Sequence, residues 1–110
     1  MDIDKLTIGE AKQIAAAFGN KPTDASPFEI GAVYLIRTVT MIDTGRVARV
    51  TPTEIVLTDA AWIADTDRFA DALKTLKFSE VEPFPDGEVI IGRGAIIDAC
   101  KIKDVQRVQK

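Results

Sequence analysis

A chain of 110 residues with 46% apolar content is the size of one domain and carries enough apolar surface for one compact core. With no histidine and a single cysteine, Cys100, it cannot form an intrachain disulfide and lacks the commonest zinc ligand and general base, which sets aside metal enzymes and histidine triads as first readings. A net charge of -3, from 14 basic against 17 acidic residues, gives no overall attraction to a nucleic-acid backbone.

The opening MDIDKLTIGE is acidic and holds no apolar run, and no stretch approaches the roughly 20 apolar residues of a membrane span. A soluble cytoplasmic protein without a membrane partner is expected. Thr7 and Glu10 stand at capping-box spacing, Ile8, Ala11, Ile14, Ala15 and Phe18 recur on one helical face, and Gly19 is a helix stop. This predicts an amphipathic helix over 8–18. Asn20, Pro22, Asp24, Ser26 and Pro27 then predict a loop over 19–30.

Strands are expected within 31–63. AVYLIRTVTMI is rich in β-branched and aromatic residues, DTG at Asp43 to Gly45 is a turn signal, and RVARV resumes the pattern, which reads as a hairpin. TPT at Thr51 to Thr53 breaks the run, and EIVLTDAAWI is a third strand. Phe69, Ala72, Leu73 and Leu76 share a face, so a helix is predicted over 66–76, with Asp65 or Thr66 able to cap it. Strands return within 79–102 around a turn at Pro83, Pro85, Asp86 and Gly87, and GRG at Gly92 to Gly94 marks a bulge or sharp bend. The segment 103–110 is a basic tail, whose simplest reading is a solvated end.

For catalysis, Cys100 has no histidine to pair with and reads as an inert thiol. Asp59, Asp65, Asp67 and Asp71 lack the glycine and terminal glutamate of an EF-hand loop, and no Walker loop is present. No catalytic residue, metal site or cofactor is assigned, and the chain is read as a non-enzyme. For binding, the candidates are Trp62, Arg68, Arg37, Thr38, Asp65 and Arg93. An indole offers a stacking surface for a base, and a guanidinium can grip a phosphate through two parallel hydrogen bonds. Three of them carry a stated alternative. Trp62 either floors a pocket beside Arg68 and a partner's Arg93 or lies in the core under Phe69 and Leu73. Arg37 points outward, pairs with a carboxylate such as Asp59, or meets a ligand. Arg93 is either presented by a bent backbone or sits in an ordinary exposed turn.

The segment GEVIIGRGAIIDACKI, Gly87 to Ile102, resembles the second motif of Sm-like barrels, with Arg93 and Gly94 at the arginine-glycine position. TVTMIDTGRVARVTPTEIVLTDA resembles the first motif through its glycine-bearing turn and Asp59, without the usual asparagine, and the insert from Ala64 to Phe78 exceeds a minimal Sm barrel. The resemblance implies an α+β, mainly β fold: an amino-terminal helix, then a small, strongly bent five-stranded Sm-like barrel with a helical insert before the last strands. It also implies a homo-oligomeric ring. YLIRTVTMIDTGR, LTDAAWIADTDRF and EVEPFPDG extend a second resemblance, to short tailed-phage proteins, over nearly the whole chain.

Asp65, Asp67 and Asp71 beside Arg68 repel a polyanionic strand more than a small ligand. The expected function is therefore binding and sequestration of a small nucleotide-type ligand, in a phage setting a host defence signal. The alternatives are an Sm-like RNA-binding module and a structural or protein-interaction protein.

Overall fold

A computed structural model of the chain describes residues 26–110. The helix predicted over 8–18 lies outside the described residues. Six strands follow: β1 (Val33–Thr38), β2 (Ile42–Val50), β3 (Glu54–Asp65), β4 (Glu80–Pro83), β5 (Val89–Gly92) and β6 (Ile96–Lys101). A short helix, α1 (Phe69–Thr75), separates β3 from β4, and a 3-10 turn, Arg93–Ala95, leads into β6. All pairings are antiparallel, in the order β4-β3-β2-β1-β6, with β5 also on β3.

This corrects the expected closed five-stranded barrel: the sheet is open and has six strands. Two features explain the difference. β3 is 12 residues long and takes two successive partners along its outer side, β5 against Glu54–Leu57 and β4 against Ala61–Asp65. In addition, Val33 to Ile36 of β1 are all buried, which requires cover on both faces, whereas a small barrel fills one side of each strand and exposes the other. The two covers are distinct. On one face Tyr34, Ile36, Val47, Ile55, Leu57 and Ile91 pack with Phe28, Phe84 and Ile96. On the other, Leu35, Ala61, Ile63 and Val81 pack against Phe69, Ala72, Leu73 and Phe78 of the helical segment.

The hairpin turn also differs from the expectation. Asp43, Thr44 and Gly45 lie inside β2, and the chain reverses at 39–41 instead. Thr38 directs this, since its Oγ accepts the Met41 N-H at 3.0 Å and its own N-H donates to the Met41 carbonyl at 2.8 Å. Gly45 is there for clearance: a Cβ at that position would stand 2.9 Å from Leu57 Cβ on the neighbouring strand. The TPT turn falls where expected, with Thr51 Oγ accepting from the Glu54 N-H at 2.9 Å.

β3 bends at Asp59, which takes a left-handed φ of 52° and inserts one extra residue opposite β2, between the pairs Thr44-Ala61 and Arg46-Thr58. The bulge frees the backbone of Ala60 to bind the turn between β4 and β5: its N-H donates to the Gly87 carbonyl at 2.9 Å and its carbonyl accepts from the Phe84 N-H at 3.0 Å. Gly87 holds a φ of +75° in that turn, a region that a side chain would strain. The carboxy-terminal segment is packed, not free. Arg107 donates to the carbonyls of Ala60 and Phe84, and Val81 and Lys110 exchange hydrogen bonds along β4.

Candidate functional site

The central pairings align one row of residues across the sheet: Ile36 with Asp43, Asp43 with Trp62, and Trp62 with Glu82. Cross-strand partners share a face, with Cβ atoms roughly 5 Å apart. Ile36 belongs to the core on the face opposite α1, so the indole lies on that face too. Trp62 is 37% exposed. It is neither under Phe69 and Leu73 nor buried in the core; it forms an accessible apolar surface between two carboxylates.

Those carboxylates are unlike. Asp43 is 6% exposed, and among the described residues its Oδ1 has no hydrogen-bond partner. Burial pushes its carboxyl up to about 6, because an ionised group loses hydration there without gaining a counter-charge. At neutral pH it is ionised, a negative charge fixed beside the indole. Glu82 is half-buried and accepts a hydrogen bond at Oε2 from Gln109 Nε2 at 3.3 Å, which among the described residues leaves Oε1 for another donor. Sequence reading missed both residues. Asp43 sits in a stretch with the composition of a turn, although the apolar pattern continues beyond it through Val47.

The other expected residues are dispersed. Arg37 pairs with Asp98, not Asp59: its Nε donates to Oδ1 at 2.7 Å, a second bond runs from its Nη2 to Oδ2, and the guanidinium stands 5.0 Å from the Phe69 ring centroid. That places it on the α1 side of the sheet. The hydrogen bond and the Arg37 charge hold Asp98 below the usual carboxylate range, and Arg37 is raised by the same pair. Thr38 is used in the hairpin turn. Arg93 donates from Nη1 to the Thr51 carbonyl at 2.8 Å, and its backbone N-H donates to Thr53, so it braces the β2-β3 turn. Gly92 pairs with Glu54, eight residues of β3 away from Trp62.

No family model, curated protein or solved structure matches the chain.

Asp65 and Arg68 follow Trp62 in sequence but do other work. Asp65 Oδ1 accepts the Asp67 N-H at 3.0 Å, forming a turn instead of capping α1. Arg68 occupies the amino-terminal cap position without a side-chain capping bond, is 84% exposed at its side chain and lies 4.0 Å from Asp71. Trp62 thus has Asp43 and Glu82 as ladder partners and no arginine of the expected set. The row suits a flat group that donates hydrogen bonds or carries positive charge, and it repels phosphate.

Cys100 is partly buried, and burial and the Asp98 charge push its thiol up, the opposite of an activated nucleophile. Among the described residues no group of three or more acidic or cysteine side chains is placed to hold a metal ion, and no helix is long and apolar enough to cross a membrane.

Proposed function

We propose that this protein is a non-enzymatic binding protein for a small nucleotide-type ligand, held by its base. The observation that carries the reading is the row Asp43-Trp62-Glu82: an accessible indole flanked in register by two carboxylates, one of them buried and, among the described residues, unpaired. A base stacks on the indole, an interaction worth about 1–3 kcal/mol. Its ring N-H and amino groups donate to Glu82 at the rim, while the fixed charge of Asp43 favours the donor-rich edge. Guanine, which presents adjacent N-H and NH2 donors, fits this best, because a carboxylate can accept both at once.

The phosphate contributes little in this arrangement. Arg37 and Arg93 are committed to Asp98 and to backbone carbonyls, and two carboxylates oppose a phosphate at the row. The same charges make an RNA strand the weaker occupant. Binding without conversion is the role supported by a chain with no histidine and a thiol of raised pKa; sequestering a signalling nucleotide needs nothing more.

Calorimetry on the full chain with guanosine, adenosine and guanosine monophosphate tests the reading. Guanosine is expected to bind at least as tightly as its monophosphate, and adenosine more weakly. Tighter binding of the monophosphate by tenfold or more, or heat from none of the three, would refute it.

A further inference from the structure

Val81 and Lys110 exchange both backbone hydrogen bonds, at 3.3 and 3.1 Å, which makes them a directly opposed antiparallel pair. One step along, Gln109 stands opposite Glu82, and opposed residues share a face of the sheet. The row therefore continues beyond β4 and reads Asp43, Trp62, Glu82, Gln109. Two anchors hold the segment in this register: the bonds at Lys110, and Arg107, which donates to the carbonyls of Ala60 and Phe84. Neither uses the Gln109 side chain.

That side chain reaches back toward the indole. Its Nε2 donates to Glu82 Oε2 at 3.3 Å. A carboxylate only accepts, and an amide NH2 carries two hydrogens, so one serves Glu82 and, among the described residues, the second remains for another acceptor. Along the row the pair offers a donor on Gln109 and then two acceptors, Oε2 and Oε1 of Glu82. Guanine carries the complement on one edge: O6 accepts, and N1-H and the 2-amino group donate. Adenine does not, since its amino group would face the Gln109 N-H and its unprotonated N1 the carboxylate.

We propose that Gln109 determines specificity at the Trp62 site, and that Gln109 and Glu82 together read the O6, N1-H and 2-amino groups of guanine. This inference rests on the base-recognition reading and adds to it the group that reads O6. Adjacent strands lie ~4.8 Å apart, so a base stacked on the indole meets Glu82 first. It meets Gln109 because the amide extends to that carboxylate. Gln109 also orients Glu82, and the two roles separate: loss of orientation weakens every guanine-like ligand alike, whereas loss of a contact to O6 weakens only a ligand with a strong acceptor there.

Calorimetry on the full chain at neutral pH compares guanosine with 6-thioguanosine, in which sulfur, a weaker acceptor, replaces O6. The wild-type chain is expected to prefer guanosine by about fivefold or more, the worth of one hydrogen bond. In Gln109→Ala that preference is expected to fall below about twofold, with guanosine itself weakened by about fivefold or more. Gln109→Glu, which puts an acceptor where the donor stands, is expected to lose guanosine at least as far. Gln106→Ala, whose amide bonds to the Asp104 carbonyl outside the row, is expected to match wild type. Guanosine bound by wild type with a preference that survives in Gln109→Ala, with no preference in either chain, or with an equal loss in Gln106→Ala would overturn this inference and leave base recognition at Trp62 standing. No heat from guanosine with the wild-type chain would overturn both.

Discussion

Asp43 stands directly across the ladder from Trp62, a buried carboxylate without a partner among the described residues, beside the most accessible aromatic surface of the sheet. Its carboxyl titrates at about 6 in the folded chain against 3.8 for the unperturbed group. The folded state therefore holds the proton more tightly than the unfolded state, and stability falls as pH rises between those values. Roughly two pKa steps at 1.36 kcal/mol each amount to about 3 kcal/mol lost by neutral pH. Asp43→Asn is expected to raise the unfolding free energy at pH 7.5 by about 1–3 kcal/mol, with a much smaller gain at pH 4. Urea denaturation at the two pH values measures both.

The same titration bears on binding. A ligand that donates to the row favours ionised Asp43, so guanosine affinity is expected to rise between pH 5 and pH 7.5 and then level off. Calorimetry of Asp43→Asn over that range is expected to show a flat profile. A wild-type profile flat through pH 6 would remove Asp43 from the site.

The Arg37-Asp98 pair is exposed on both sides, and its contribution follows the lowered carboxyl of Asp98. Its stabilisation is present above the ordinary carboxylate range and is lost as pH falls through the lowered folded value. A thermal-melt double-mutant cycle with Arg37→Ala and Asp98→Ala is expected to show coupling at pH 7, reduced in high salt.

Much of the architecture is legible in the sequence. Thr51 to Thr53 and Pro83 to Gly87 mark turns because threonine hydroxyls, proline and glycine act locally, and the third strand and the short helix follow from periodicity. The reading fails where distant contacts decide. Asp43 to Gly45 has the composition of a turn, yet Gly45 is a clearance residue set by Leu57. Closure depended on which elements cover the two faces of β1, and that is settled by α1. The guanidiniums of Arg37 and Arg93 resemble anion binders until Asp98 and the Thr51 carbonyl appear beside them.

Gly45 gives a direct test of that packing. Gly45→Ala forces a methyl against Leu57 in the middle of the sheet and is expected to cost about 1–3 kcal/mol. Equal stability of variant and wild type in urea would show that β2 and β3 are further apart than described.

Arg107 ties the carboxy-terminal segment to the bulge of β3. Arg107→Ala is expected to destabilise the fold by about 1–2 kcal/mol, since the Ala60 carbonyl keeps its bond from Phe84 while the other bonds are lost. Amide exchange should report it first at Phe84 and Gly87.

The chain holds one tryptophan, so its indole emission, excited selectively over Tyr34, reports the proposed site alone. Titration of the full chain with guanosine at pH 7.5 is expected to give a saturable change in that emission, weakened at least tenfold by Glu82→Gln. An emission unchanged to millimolar guanosine, or a response identical in Glu82→Gln, would contradict base recognition at Trp62.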